Sequence, residues 1–182
     1  MLLLQLRLRG RQMTKDQRTV AIGAASGVIG MMLLVWMIST TIPGPQVVDA
    51  PGNRLAYAVR WSVVAVLPLF AMLVAVGNER FLSEAIDPTL GKESRKMVVN
   101  GRVADNTLQQ FVCFSVGILA LSVSVPIGWI SVVPAVAITF VICRIVFWIG
   151  YRIHPLYRAP GFSSTAYMNL FMYIAVIWLR LA

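Results

Sequence analysis

Polar side chains able to grip a ligand lie together in one short stretch, NGRVADNTLQQF, from Asn100 to Phe111. Arg102, Asn106 and Gln109 are spaced at i, i+4 and i+7, so in a helix they share one face. A guanidinium and two amides on that stripe could hold a polar ligand at the edge of a helix bundle, or could hydrogen-bond neighbouring helices to one another. The apolar run from Val112 to Val125 follows directly, which indicates that the stretch begins a membrane span.

A second residue of chemical interest is Arg144, which lies deep inside another apolar run. Phe147 and Tyr151 follow it at i+3 and i+7 and share its helical face. A charged side chain within a membrane span is rare and needs a partner. Asp105 is the predicted partner, because the two residues fall near the same ends of adjacent antiparallel helices. We expect a structural ion pair, with contact between Arg144 and a ligand as the alternative.

The elements that must position these side chains are membrane helices. Of the 182 residues, 58% are hydrophobic and 13% are charged, and the mean hydropathy of +0.77 is far from that of a soluble domain. The net charge of +9 does not indicate nucleic-acid binding, because the basic residues cluster between apolar runs. Cys113 and Cys143 lie in apolar runs and are expected to be buried, unpaired thiols. The acids and the single histidine lack metal-ligand spacing, so no metal site is expected.

Five apolar runs are long enough to cross a bilayer as helices. The predicted spans are Val20 to Ile42, Leu55 to Gly77, Arg102 to Val125, Trp129 to Tyr151 and Thr165 to Leu181. The sequence therefore predicts an all-α integral membrane protein. Gly23 and Gly27, four residues apart in the first span, predict close approach of another helix.

The distribution of Lys and Arg predicts the orientation of these spans. Five of the sixteen Lys and Arg residues precede the first span, five lie from Arg80 to Arg102, and three lie from Arg144 to Arg158. Cytoplasmic loops carry the excess of positive charge, so we expect a cytoplasmic N-terminus and an external C-terminus. The polar stripe, Arg80, Tyr151 and Arg158 would then converge on the cytoplasmic side.

Two stretches, RVADNTLQQF from Arg102 and CRIVFWIGYRIHPLYRAPGF from Cys143, resemble the MAPEG family, the membrane-associated proteins of eicosanoid and glutathione metabolism. The likeness covers about Leu55 to Leu181 and is to a bacterial or mattrin-like member with an extra N-terminal span. It implies a MAPEG-like four-helix bundle that forms trimers and holds glutathione between protomers near the cytoplasmic side. The chain then divides into a basic cytoplasmic lead, residues 1–18, an extra transmembrane helix and external Pro/Gly loop, residues 19–54, and the bundle, residues 55–182.

The resemblance also implies a set of residues that contact glutathione as a cosubstrate. These are Arg80, Arg102, Asn106, Gln109, Arg144 and Tyr151, and Arg158 resembles the catalytic arginine that stabilises the thiolate. The family pattern is an arginine, an asparagine four residues on, and a glutamate three residues beyond, so Gln109 replaces an acid. A neutral amide loses a charge-assisted hydrogen bond, which is about twice as strong as a neutral one.

Two functions are compatible with these residues. One is a glutathione-dependent transferase or peroxidase that acts on lipophilic electrophiles. The other is a noncatalytic MAPEG-like scaffold or accessory subunit of a membrane complex, which Gln109, Asp105, Phe162 and the additional span favour. The expected partners are membrane lipids, further copies of the chain in a homotrimer and, for the second function, a membrane protein.

Overall fold

The computed structural model describes residues 13–45 and 50–181. Its five long helices are α1 (Lys15–Thr41), α2 (Pro51–Phe81), α3 (Arg95–Ser124), α4 (Val132–Ile153) and α5 (Ala159–Leu181). Each lies in a helical segment long and apolar enough to cross a membrane, and the described ranges contain no strand. The protein is therefore an all-α, multi-pass integral membrane protein, as predicted. Most of the predicted basic lead, residues 1–12, lies outside the described residues.

Helices α1, α2, α3 and α5 begin earlier than the apolar runs, whereas α4 begins later than the predicted Trp129. At α1 and α3, capping residues outside the runs accept hydrogen bonds from the first N–H groups. Thr14 and Gln17 form a capping box at the start of α1. The Ser94 hydroxyl accepts a hydrogen bond from the Met97 N–H over 3.0 Å at the start of α3. Pro51 is the first residue of α2, a position where its missing N–H has no consequence.

The connection between the second and third predicted spans is shorter than those spans imply, because α2 extends to Phe81 and α3 begins at Arg95. Between them are two short 3₁₀ helices, Glu84–Ile86 and Pro88–Leu90. The Asp87 carboxylate caps the second one by accepting hydrogen bonds from the hydroxyl and N–H of Thr89 at 2.6 and 2.9 Å. These two hydrogen bonds lower the pKa of the Asp87 carboxyl, and the bond from the Thr89 hydroxyl has the larger effect. The segment is thus a folded connection between α2 and α3.

Helix α4 is the centre of the bundle, because it contacts all four other long helices. Aromatic side chains fill the space between α3 and α4, where the ring centroids of Phe114 and Phe140 are 4.5 Å apart. The remaining helices pack mainly in two pairs, α1 with α5 and α2 with α3. The 3₁₀ helix Ile127–Trp129 joins α3 to α4, and these helices are in contact, which confirms the prediction that they are adjacent.

The outer surface of the helices is apolar. Trp36 is 67% exposed and Phe70 is 64% exposed, as expected for side chains that face lipid rather than water. Cys143 is buried, but Cys113 is exposed. The predicted burial of Cys113 is wrong, because an apolar run in a membrane helix includes the lipid-facing side as well as the core.

Helices α1 and α5 approach each other at backbone distance. A Cβ added at Gly27 would lie 2.2 Å from the carbonyl oxygen of Pro160, and one added at Gly23 would lie 3.2 Å from its Cδ. The hydroxyls of Ser163 and Ser164 donate hydrogen bonds to backbone carbonyls of α1 over 3.0 and 2.8 Å. The predicted close approach at the two glycines is confirmed.

Candidate functional site

The predicted polar stripe lies along the edge of α3, and its members differ in exposure. Arg102 and Gln109 are exposed, whereas Asn106 is half-buried. Successive residues in a helix are rotated by about 100° around its axis, which places Asn106 on the inward side of the stripe. Only Asn106 of the three reaches the polar contacts inside the bundle.

The side chain of Arg144 is the centre of those contacts and is fully buried. Its Nη2 donates to Oδ1 of Asn106 over 2.9 Å and to Oγ1 of Thr107 over 2.8 Å. Its Nε also donates to Thr107 over 3.2 Å, and its Nη1 donates to Oγ1 of Thr165 over 3.0 Å. One guanidinium thereby connects α3, α4 and α5 through neutral oxygen atoms.

The predicted ion pair between Arg144 and Asp105 is wrong. Asp105 is exposed, and the ion pairs within the described ranges join other residues. The physical reason is the rotation of the helix: since Asn106 points toward α4, its neighbour Asp105 points about 100° away from it. Arg144 is satisfied by an amide and two hydroxyls instead of a carboxylate.

Two arginines enclose an aromatic pair along one face of α4. The guanidinium carbon of Arg144 is 4.1 Å from the ring centroid of Phe147. Phe147 stacks on Tyr151 with centroids 5.9 Å apart, and the guanidinium carbon of Arg158 is 5.0 Å from the Tyr151 ring centroid. The predicted common face of Arg144, Phe147 and Tyr151 is confirmed. Cation–π contact with Tyr151 holds the exposed guanidinium of Arg158 beside the end of the bundle.

A cavity of about 440 Å³ opens where α1, α3 and α5 meet the connection from α4 to α5. Val20 and Ala24 of α1 and Phe162 of α5 form part of its apolar wall, and Asn106 and Arg158 contribute polar groups. Because Oδ1 of Asn106 accepts from Arg144, the group that Asn106 offers to the cavity is its amide nitrogen, a donor. The cavity thus combines an amide donor, a guanidinium and an apolar wall.

The other residues of the predicted contact set do not line this cavity. Arg144 lies behind Asn106, Tyr151 lies behind Arg158, and Arg102 and Gln109 face outward from α3. Arg80 lies elsewhere, where its Nη2 forms an ion pair with Glu93 over 2.5 Å. The structure therefore brings together Asn106 and Arg158, with Arg144 and Tyr151 supporting them.

A separate polar network lies next to Arg80. The carboxylate of Glu79 accepts from the Ser94 hydroxyl over 2.6 Å and from the Asn100 amide over 3.5 Å. The oxygen of that amide accepts from the indole N–H of Trp148 over 2.9 Å. Asn100 is only 1% exposed, so the network anchors α2, α3 and α4 to one another at this end of the bundle.

Sequence reasoning missed Thr107 and Thr165, the two hydroxyl partners of Arg144. Both are fully buried and both also donate to backbone carbonyls of their own helices. The sequence does show that each residue places a hydroxyl within a predicted membrane span. Nothing in the local sequence, however, pairs either hydroxyl with a residue on α4.

Comparison of the sequence with known proteins shows the family of the chain. The sequence profile described as "MAPEG family" matches residues 58–178, which is well over half of the chain. The chain belongs to the MAPEG family. The matched region begins within α2, so α1 lies outside the MAPEG bundle and packs against it.

Two curated relatives of this MAPEG chain are similar at low identity. Transmembrane protein 79 of Mus musculus is 24% identical over 122 residues, which are 64% of this chain and 31% of the relative. Transmembrane protein 79 of Bos taurus is 23% identical with the same coverage. The chain thus spans about a third of the length of the curated relatives it matches. No solved structure is significantly similar to it.

Proposed function

We propose that this MAPEG protein binds glutathione in the cavity between Asn106 and Arg158 and joins it through its sulfur to a lipophilic electrophile. The observation that carries the proposal is the presence of an amide donor and a guanidinium in one apolar cavity. A peptide thiol needs polar groups to hold it, and a lipophilic cosubstrate needs an apolar wall beside them. This cavity supplies both.

The cavity fits a ligand of this kind in size and in charge. Its volume of about 440 Å³ lies within the range of about 300–1,000 Å³ that is typical of small-molecule sites. Glutathione carries two carboxylates and one ammonium, and Arg158 supplies a cation for one of the anionic groups. Helix α1 contributes Val20 and Ala24 to the wall, so the helix outside the MAPEG bundle shapes the apolar side of this cavity.

The chemistry proposed for Arg158 is stabilisation of negative charge on sulfur. Glutathione supplies the nucleophile, and its thiol proton leaves to water as the guanidinium stabilises the thiolate. The sulfur then forms a bond to an electrophilic carbon, whose electron pair moves to a leaving group or a conjugated acceptor. In the peroxidase form of the reaction, the thiolate attacks the terminal oxygen of a lipid hydroperoxide, the O–O bond breaks, and the lipid leaves as an alcohol. The sulfur takes up that oxygen as a sulfenic acid, which a second glutathione converts to the disulfide and water. No nucleophilic side chain is required of the protein.

We also propose that three copies of the chain form a homotrimer. Arg102, Asp105 and Gln109 are exposed on the outer side of α3, and polar side chains in a membrane span normally face protein rather than lipid. A neighbouring protomer would cover them and could complete the glutathione site. Native mass spectrometry of the detergent-solubilised chain tests this proposal, and a monomer at all protein concentrations would contradict it.

Calorimetry with purified protein tests the proposed ligand. We expect binding at millimolar glutathione, weakened by Arg158→Ala and by Asn106→Ala. Arg152→Ala is the matched control, because Arg152 is also exposed and does not line this cavity. Absence of binding to the wild-type protein at millimolar glutathione would exclude the enzyme function. Binding without conjugation of a model electrophile would support the glutathione site and contradict the proposed reaction.

A noncatalytic scaffold or accessory subunit is the second candidate function. One observation in its favour is that the guanidinium of Arg144 is satisfied by side chains of the protein itself. Another is Gln109, a neutral amide at the position where an acid would pair with the ammonium of glutathione. Under this function the protein purifies with a membrane-protein partner. An isolated homo-oligomer that conjugates an electrophile would count against it.

The proposed orientation places the cavity on the cytoplasmic side. Because successive spans cross the membrane in opposite directions, the starts of α1, α3 and α5 lie on the same side as the ends of α2 and α4. The segments on that side carry most of the Lys and Arg residues. The positive-inside rule then gives a cytoplasmic N-terminus and an external C-terminus. Labelling of single cysteines at Met13 and Leu181 with a membrane-impermeant maleimide in intact cells checks this topology, with modification expected only at Leu181→Cys.

A further inference from the structure

We propose that the face formed by α2 and α4 holds an anionic phospholipid, with its phosphate beside Arg152 and one acyl chain in the groove below. Two cavities meet at this arginine. One is a basic cavity of about 490 Å³ lined by Arg95, Lys96 and Arg152. The other is an apolar groove of about 470 Å³ between α2 and α4 that also includes Arg152. Together they have the two parts that a phospholipid requires.

The basic cavity carries uncompensated positive charge. Arg95, Lys96 and Arg152 are exposed, and none of them belongs to an ion pair within the described ranges. Glu93, the acid nearest to Arg95 and Lys96 along the chain, is instead paired with Arg80. Three cations at the end of neighbouring helices attract an anionic headgroup, and each basic residue near a membrane surface contributes about 1 kcal/mol to such binding.

The groove has the shape of a site for one acyl chain. Leu67, Pro68 and Ala71 form its α2 side near the middle of that helix, and Val141 and Ile145 continue it along α4. Val141 and Arg152 are separated by a helical rise of about 16 Å, which is about half of a hydrocarbon core of about 30 Å. The groove therefore runs from the middle of the membrane to its surface, the depth of one leaflet.

The combination of charges and groove favours an anionic phospholipid over other occupants. An apolar helix from another protein could fill the groove, but it would leave three cations without a partner. A zwitterionic lipid would bring its own ammonium next to these cations, which is unfavourable. The basic cavity adjoins the cavity of Asn106 and Arg158, because Pro155 lines both, but the three basic residues of the lipid site do not line that cavity. The proposal does not depend on the proposed glutathione chemistry.

Native mass spectrometry of the full chain in detergent tests the site, with phosphatidylglycerol and phosphatidylcholine of identical acyl chains as probes. We expect tighter binding of phosphatidylglycerol. Arg152→Gln should weaken it roughly fivefold, and replacement of all three basic residues by Gln roughly a hundredfold, since each basic residue contributes about 1 kcal/mol. Arg18→Gln is the matched control, because it removes an exposed arginine that lines neither cavity.

A second variant tests the groove without changing the charge. Ala71→Phe fills the groove and should weaken phosphatidylglycerol binding several-fold, although all three cations remain. Unchanged melting temperatures in lipid-free detergent, and recovery of binding in Arg152→Lys, show that the losses reflect charge rather than misfolding. Equal affinity of the wild type for both lipids, equal losses in Arg18→Gln and Arg152→Gln, or full binding by Ala71→Phe would each overturn the proposal. So would disulfide cross-linking of Ala71→Cys between two copies of the chain, because the groove would then be a protein interface.

Discussion

Nη2 of Arg144 donates a hydrogen bond to Oδ1 of Asn106 over 2.9 Å, and this contact joins the interior of the bundle to the candidate cavity. It fixes the direction of the Asn106 amide. The carbonyl oxygen points inward to α4, so the amide nitrogen is the group left for the cavity. Arg144 is thus a positioning residue for Asn106 and is at the same time the connection between three helices.

The first prediction concerns the stability that this contact provides. Asn106→Leu leaves one N–H of a buried guanidinium without its acceptor, and we expect a loss of about 1.5–3 kcal/mol in the free energy of unfolding, the contribution of a hydrogen bond to a charged group. Denaturant titration in detergent micelles measures it. Gln109→Leu is the control, because Gln109 is an exposed amide on the same helix. Equal losses in both variants would contradict the role of the contact.

The second prediction distinguishes the observed partners of Arg144 from Asp105. Arg144→Met should couple energetically to Thr165→Val, because Thr165 accepts from Nη1 over 3.0 Å, and contacting residues show coupling energies of about 0.5–3 kcal/mol. Its effect should add to that of Asp105→Leu within about 0.5 kcal/mol. Double-mutant cycles on the free energy of unfolding provide both values. Strong coupling between Arg144 and Asp105 would restore the ion pair that the structure contradicts.

The number and type of the helices could be predicted from the sequence, because a membrane span requires a long apolar run. The ends of the helices could not be predicted in this way, because hydropathy indicates only the part of a helix that lies in the lipid. The third span was predicted to begin at Arg102, whereas the Ser94 cap starts α3 at Arg95. Periodicity placed Arg144, Phe147 and Tyr151 on one face, and the structure confirms this because one helix determines it.

Contacts between helices were harder to predict, because they depend on the rotation of each helix about its axis. Choosing Asp105 rather than Asn106 as the partner of Arg144 was an error of one residue, which is a rotation of about 100°. Charge favoured the carboxylate, and the geometry selected the amide. For the same reason, the sequence showed that Gly23 and Gly27 would admit a helix but did not show which helix.

The third prediction concerns the network at Asn100. Asn100→Leu removes the acceptor of the Trp148 indole N–H, and we expect a loss of about 1–3 kcal/mol in the free energy of unfolding, the cost of leaving a buried donor unsatisfied. Trp148→Phe should lose less, because it keeps the bond from the Asn100 amide nitrogen to Glu79, whereas Asn100→Leu removes both bonds of that amide. The control is Trp178→Phe, since Trp178 is 72% exposed. Denaturant titration followed by circular dichroism compares all three, and a neutral Asn100→Leu would show that the network does not stabilise the bundle.

The fourth prediction tests whether the docking of α1 forms the cavity. Gly27→Ala places a Cβ 2.2 Å from the carbonyl oxygen of Pro160, which is too close for either backbone to remain in place. We expect a loss of about 1–3 kcal/mol, as for overpacking of a filled interior, and displacement of α1 from α5. Gly30→Ala is the matched control, because nothing lies within 4 Å of its added Cβ, and alanine favours the helix over glycine by about 1 kcal/mol.

Since α1 supplies Val20 and Ala24 to the cavity wall, a cysteine at Ala24 should react with a maleimide faster in the Gly27→Ala background than in the Gly30→Ala background. Equal reactivity in the two backgrounds would mean that α1 tolerates the added methyl group and that the cavity does not depend on this close approach.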